Sequence, residues 1–399
     1  MTLKLGLEQL LADSKFKARL KSRRVGLVAH PASVTSSLHH SLDVLIEAKI
    51  PVTCAFGPQH GMRGEKQDNM VESDDFVDPK HGIPVFSLYG KMRRPTEKML
   101  EHCDMLLFDL QDVGCRIYTF LTTLFYIMED AARTGRSVWV LDRPNPAGRV
   151  IEGSILDMNF ASFVGAAPTV MRHGLTLGEA GEWFKNLRHL DLDYRVVKMR
   201  GYAPTEKPGF GWPLGERVWV NPSPNMPRLS TARAYAGTVL IEGTKLSEGR
   251  GTTRPLELMG APGIDAEKWV RAINKMVGKT SAILRPCFFE PTFQKHKGQL
   301  CAGFQIHTDH GSYQHARFRP YRIVCAALKT LRQLQPDFDL WLQPPYEYEA
   351  EKMPIDILSG DSFLREWVDD PAAKWSDLER KLVRDETQWR QESRKYYLY

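Results

Sequence analysis

Short, wholly apolar segments recur through the first third of the chain, each separated from the next by a stretch with helical periodicity. Arg24-Val-Gly-Leu-Val-Ala-His30, Val52-Thr-Cys-Ala-Phe56, Met105-Leu-Leu-Phe-Asp109 and Ser137-Val-Trp-Val-Leu141 read as strands buried on both faces, and Val85-Phe-Ser-Leu88 as a shorter one. Between and before them, Leu3, Leu7, Leu10, Leu11, Phe16 and Leu20 repeat at three and four and predict an amphipathic helix over 3–20. His40–Ala48, Thr96–His102 and Thr119–Thr134 predict further helices. Strands buried on both faces and alternating with helices imply an α/β fold: a Rossmann-like, doubly wound, mainly parallel sheet with helices on both sides.

In such sheets the ligand lies beyond the carboxyl ends of the strands. The segments leaving those ends are polar and rich in Gly and Pro: His30-Pro31, then Gly57-Pro-Gln-His-Gly-Met-Arg63, then Asp109-Leu-Gln-Asp-Val-Gly114, then Asp142-Arg-Pro-Asn-Pro146. Residues 201–230 hold many Gly and Pro residues and read as a long crossover. Beyond it, strand patterns at 237–242 and 300–307, helix patterns at 266–277 and 321–335, and a charged tail helix over 373–394 predict a smaller α+β unit. At roughly 150 residues per domain, 399 residues suggest two domains, expected at 1–231 and 232–399.

Composition excludes several classes. With 42% hydrophobic and 26% charged residues the chain is an ordinary globular one. A net charge of +6, spread without a basic run, argues against nucleic acid as a partner. No segment approaches the ~18 apolar residues of a membrane span. Six cysteines with no Cys-x-x-Cys pair, and Glu8 and Asp13 inside the N-terminal apolar stripe, lead to the expectation of a cytoplasmic protein with reduced thiols. No Gly-x-Gly-x-x-Gly, Walker loop, zinc-spaced Cys/His set or Gly-x-Ser-x-Gly elbow is present, so neither a metal nor an organic cofactor is expected.

The chemistry therefore rests on the loops. Gln59, His60, Arg63 and Glu65 form one candidate cluster, and Asp109, Asp112, Arg116 and Tyr118 a second. In Asp142–Pro146 each proline restricts its predecessor, so Arg143 and Asn145 either hold a substrate or lock a turn. Arg172 and His173 follow an apolar run, where His173 is either a proton shuttle or a hydrogen-bonded loop residue. Asn225 lies in a proline-rich turn, and Glu248, Arg250 and Thr252 share a Gly/Thr-rich turn suited to anions.

Seven co-linear motifs carry a resemblance. Phe56-Gly-Pro-Gln-His-Gly-Met-Arg-Gly64, Ser87-Leu-Tyr-Gly90, Phe108-Asp-Leu-Gln-Asp-Val-Gly114, Leu141-Asp-Arg-Pro-Asn-Pro146, Arg172-His-Gly-Leu-Thr176, Pro222-Ser-Pro-Asn-Met-Pro227 and Glu242–Thr253 resemble the exo-β-N-acetylmuramidase family. The match runs from about Gly6 to His307. The resemblance implies a Rossmann-like catalytic domain, a smaller second domain, a cleft between them, and release of terminal N-acetylmuramic acid from peptidoglycan fragments. An amino-sugar or muropeptide carrying a lactyl carboxylate would give Arg63, Arg143, Arg172 or Arg250 an anion to bind.

One position departs from the family pattern. Glu is common in the family between the Pro and His of the first motif, where this chain has Gln59. An amide cannot deliver a proton, whereas glycoside hydrolysis ordinarily uses two carboxyls. The expectation is that Asp112 and Glu248 are the essential carboxylates, with Glu65 as a further candidate. Gln59, His60, Arg63, Tyr118, Arg143, Asn145, Arg172, His173, Asn225, Arg250 and Thr252 are expected to line the sugar. The sugar's 2-acetamido group offers an internal nucleophile, leaving one protein acid necessary. Two rival readings stand beside this one: a catalytically silent sugar-binding protein, and an enzyme acting on a phosphorylated metabolite.

Overall fold

The computed structural model describes residues 2–64, 72–90, 92–207 and 209–399. In chain order the strands are β1 (Val25–Ala29), β2 (Val52–Gly57), β3 (Phe76–Val77), β4 (Pro84–Ser87), β5 (Met105–Asp109) and β6 (Ser137–Leu141). They continue as β7 (Glu152–Ile155), β8 (Val170–Arg172), β9 (Tyr194–Val197), β10 (Leu258–Ala261), β11 (Ile283–Phe289) and β12 (Cys301–His307). A seven-stranded sheet runs in the order β3-β4-β2-β1-β5-β6-β9, parallel except for the edge strand β3. β1, β5 and β6 are buried at every residue, as their unbroken apolar runs predict.

Strand alternation divides the apolar side chains between two cores. Leu106 and Phe108 of β5 join one, Met105 and Leu107 the other. The second core is closed by Leu7, Leu10, Leu20, Leu42 and Leu45, from helices before and after β1. The first is closed by the helices Phe120–Arg133 and Leu177–Leu187, then continues without a break into residues beyond 232, including Trp269, Phe304, Leu328 and Trp389. There β10, β12 and β11 form a small antiparallel sheet in that order, against which the helices Ala266–Val277 and Pro320–Leu334 lie.

Two expectations are corrected. The predicted helix over 3–20 is two helices, Gly6–Ala12 and Ser14–Lys21, because Asp13 turns extended and its carboxylate accepts the Lys15 amide at 2.7 Å. Residues 237–242 are not a strand. They end the helix Leu229–Thr238 and form a 3-10 turn over Val239–Gly243. Val239, Leu240 and Ile241 are all fully buried, and an apolar run buried all round carries no period to separate strand from helix.

The tail helix, observed over Trp375–Ser393, straps the second part onto the first. Its Trp389 is fully buried, meets Trp183 edge-on at 4.9 Å and donates its indole N–H to the His173 carbonyl at 2.8 Å. Trp389→Ala is expected to lower unfolding free energy by about 3–5 kcal/mol. Trp389→Phe, which keeps a ring but leaves that carbonyl unpaired, should cost less. Urea unfolding followed by circular dichroism checks both, and a loss below about 1 kcal/mol for the alanine variant would mean the strap carries little of the stability.

Candidate active site

β1 lies between β2 on one side and β5 on the other, so the carboxyl ends of β1 and β5 make the topological switch point. At that point Asp109, fully buried, takes a two-pronged ion pair from Arg143, with Nε at 2.7 Å and a terminal nitrogen at 2.8 Å. The same guanidinium donates twice to the Val34 carbonyl at 3.1 Å, and the Ser33 hydroxyl donates to the Asp109 carbonyl. One salt bridge thus ties together the loops after β1, β5 and β6. Next to it His30 is buried, its Nδ1 accepting the Ala32 amide at 3.3 Å and its Nε2 without a partner. Burial, with His60 and His40 nearby, pushes its pKa down to about 3, so it is a neutral ring.

Asp112 lies further along the β5 loop. One of its oxygens accepts the Gly114 amide at 2.6 Å and lies 3.7 Å from His173 Nε2; the other is buried without a partner. Gly114 is required here: it sits at φ 77°, and a Cβ would lie 2.2 Å from Asn145 Oδ1. His173 Nδ1 accepts the Leu175 amide at 3.2 Å, which in the neutral ring places the proton on Nε2, facing Asp112. Beside them Tyr118 donates to the Pro222 carbonyl at 2.6 Å; burial, then Asp112, hold its phenol well above the usual value.

A second ionic cluster stands on the far part of the chain. Glu248 meets Arg250 and Lys295, both at 3.1 Å. Burial by itself would raise this carboxyl, and the two cations reverse the effect, so it is held below its usual range. Arg250 also pairs with Glu242 at 2.6 Å, and Tyr346 donates to the other oxygen of Glu242 at 2.9 Å. Glu248 is thereby an anion, suited to stabilising positive charge and unsuited to giving a proton.

The remaining expected residues divide by what already holds them. Asn145 turns its amide onto the backbone, donating to Leu175 O at 2.9 Å and accepting from Ala147 at 2.8 Å, so it locks its turn. Arg172 is buried against the carbonyls of Ala147 and Phe318, with His315 Nε2 at 2.8 Å. Arg116 gives its donors to the carbonyls of Ser154, Thr169, Leu358 and Ser359. Gln59 is buried and accepts the Thr119 hydroxyl at 2.7 Å. His60, at φ 71°, and Asn225 are buried too. Thr252 turns its hydroxyl onto the Gly249 carbonyl. Arg63 is exposed, its guanidinium 4.3 Å from the Phe76 ring centre. Glu65 lies outside the described residues.

Among the described residues no group of three or more His, Cys, Asp and Glu is arranged to hold a metal, and no helix is long and apolar enough to cross a membrane. Sequence reasoning missed Glu242, Lys295 and Glu347. Glu242 opens one of the quoted motifs, a usable signal; Lys295 and Glu347 sit in polar loops whose composition announces nothing.

Two family models match the chain, the N-terminal part of exo-β-N-acetylmuramidase NamZ over residues 25–230 and its C-terminal part over 233–399. The peptidoglycan β-N-acetylmuramidase NamZ of Bacillus subtilis is 42% identical over 335 residues, covering 83% of this chain and 78% of that protein. Two DUF1343 family proteins of Bacteroides fragilis, both solved by crystallography, superpose on the whole chain. One does so with a TM-score of 0.86 at 30% identity, the other with 0.77 at 25%, each match covering 99% of the solved chain.

The Asp109–Arg143 pair yields a stability prediction. Arg143→Met leaves a fully buried carboxylate without its cation and is expected to cost about 3–5 kcal/mol. Asp109→Leu combined with Arg143→Met removes both charges and should recover part of that loss. Denaturant unfolding of the two variants measures it, and a single variant as stable as wild type would mean the pair does not hold the loops.

Proposed function

Since the chain belongs to the exo-β-N-acetylmuramidase family, we propose that it is an exo-acting glycoside hydrolase removing terminal N-acetylmuramic acid, or a related acidic amino sugar, from peptidoglycan fragments. The observation that carries the site assignment is Asp112: a buried carboxylate beside the switch point, with one oxygen unpartnered and a histidine N–H turned towards it. Buried polar atoms without partners are costly, of order 1–3 kcal/mol each, and a catalytic role or an ordered water is among the few things that account for one. In this reading Asp112 orients the 2-acetamido group, or the water, that attacks the anomeric carbon, and the Gly114 amide at 2.6 Å fixes the carboxylate's direction.

The arginines divide accordingly. Arg143 and Arg172 hold the loops, and the exposed Arg63 is the one of this set left to meet a substrate carboxylate. Glu248 and Arg250 form the opposing wall. We assign Asp112 and its part of the chemistry to residues 1–231, with 232–399 completing the cleft. The six cysteines all carry free thiols, which supports a reducing compartment and hence fragments recycled inside the cell as substrate.

Hydrolysis of a chromogenic β-N-acetylmuramide tests the reading. The wild-type chain should release the chromophore, and Asp112→Asn, with an unchanged circular dichroism spectrum, should lower kcat by about 10²–10⁴-fold. An inert wild type beside an active Gln59→Glu variant would instead make the native chain a sugar-binding protein whose acid is gone.

A further inference from the structure

A buried carboxyl outside the quoted motifs, Glu347, is left without a partner on one oxygen among the described residues. Residues 346–349 form a tight turn: Tyr346 and Glu349 exchange backbone hydrogen bonds at 2.9 Å, and Glu347 and Tyr348 between them adopt φ 45° and 69°. Two consecutive side-chain-bearing residues in the left-handed region cost about 1–3 kcal/mol each, and such geometry persists where the surroundings impose it. Here the turn drives Glu347 back towards the first part of the chain, where the Tyr89 hydroxyl donates to its Oε2 at 3.2 Å. Tyr89 follows β4, and Leu88 before it is tied to the end of β2 by its amide on the Gly57 carbonyl at 2.8 Å. Glu347 therefore stands over the same carboxyl edge of the sheet as the Gln59 loop.

Glu347 is 6% exposed, yet it lines a cavity of about 360 Å³ together with Glu72, Arg93, Ser162, Phe163 and Tyr348. That volume falls in the ~300–1,000 Å³ range of small-ligand sites. Its Oε1 has no hydrogen-bond partner among the described residues and is not among the sealed polar atoms, so it is the oxygen open to the cavity. Arg93 places its guanidinium 4.4 Å from the Tyr89 ring centre and 4.2 Å from that of Tyr348, putting a cation beside aromatic rings at the rim. Glu72 meets the same guanidinium at 3.6 Å, so the open carboxyl of Glu347 is the group of this cavity left to face a glycosidic oxygen.

We infer that this cavity is a saccharide subsite and that Glu347 is its proton donor, taking the part that an amide at position 59 cannot. The inference rests on the glycosidase reading. In the step, the proton on Oε1 passes to the glycosidic oxygen as the anomeric C–O bond breaks, the bonding electrons leaving with that oxygen as an alcohol. Water then adds its hydroxyl to the anomeric carbon and its proton returns to Glu347, so one water is consumed and the carboxyl is restored.

The electrostatics agree with that role. Burial, then the Glu242 carboxylate, raise the Glu347 pKa to about 7, while Tyr89, Arg93 and Arg250 oppose the rise. Tyr346 and Tyr348 flank it on its own turn, and Glu72 and Glu349 stand at the rim. Glu248, beyond Arg250, is pushed the other way. Two carboxyls driven apart in this manner are the usual signature of an acid and an anion. The protonated form is the active one, so turnover should fall as pH rises through about 7.

Two substrates separate a proton donor from a structural residue: a disaccharide, whose alcohol leaving group needs protonation, and a dinitrophenyl glycoside, whose leaving group does not. Glu347→Gln is expected to lower kcat/KM on the disaccharide by about 10²-fold or more, to leave the dinitrophenyl glycoside within about 10-fold, and to abolish the fall above neutral pH. Glu347→Asp, which keeps a carboxyl if the glutamine variant folds poorly, should retain the leaving-group dependence and the alkaline limb. Equal losses on both substrates, or none on either, would overturn the role of Glu347 while leaving the hydrolase reading intact. A wild-type chain inert on both would overturn the hydrolase reading, and the proton donor with it.

Discussion

The buried ion pair between Asp109 and Arg143 is the constraint on which the site depends. Each charge would be expensive alone in an interior, and together they are tolerated because the geometry is two-pronged and the remaining donors find the Val34 carbonyl. What the pair supplies is position. It fixes the ends of β5 and β6 relative to the loop after β1, and Asp112, three residues beyond Asp109, inherits its place from that clamp. A parallel sheet forms its own ladder, but the loops at its carboxyl edge have no ladder of their own, and a charge pair with fixed geometry does the equivalent work there.

Arginine has the same structural use elsewhere in this chain. Arg116 and Arg172 are fully buried and donate to backbone carbonyls, stitching β7, β8 and the carboxyl end of the helix Pro354–Ser359 to one another. Carbonyls in loops, at sheet edges and at helix ends have no ladder partner, and a guanidinium with five donors satisfies several at once. The density of arginine in the motifs therefore reflects construction of the edge as much as recognition of an anion. The carboxylates are sorted in a corresponding way: Asp109 and Glu248 are matched by cations, whereas Asp112 and Glu347 each keep an oxygen that no protein group has taken.

Much of the edge is legible in the sequence because strand and loop alternate there so cleanly. β1, β2, β5 and β6 lie where their apolar runs place them, and Asp112 and His173, far apart in the chain, are brought to 3.7 Å. Legibility fails where period or context is lost. Residues 237–242 have no polar face to reveal their helicity, and Asp13 interrupts what looks like one continuous apolar stripe. The helix Leu177–Leu187 does carry a local signal, the capping box of Thr176 and Glu179. Glu347 carries none, since a glutamate between two tyrosines in a polar loop looks like any solvated side chain.

The sequence by itself determined the fold class, the parallel sheet, the polar edge and the family, because these depend on local periodicity and on motifs contiguous in the chain. It also located the missing carboxyl at Gln59. Tertiary structure alone decided which charged groups are already neutralised and which are left for a substrate. Whether an arginine meets Asp109 or solvent, and whether a glutamate meets Lys295 or Tyr89, depends on contacts between residues far apart in sequence. Ionisation depends on burial and on neighbours through space, and neither quantity is carried by any single stretch of the chain.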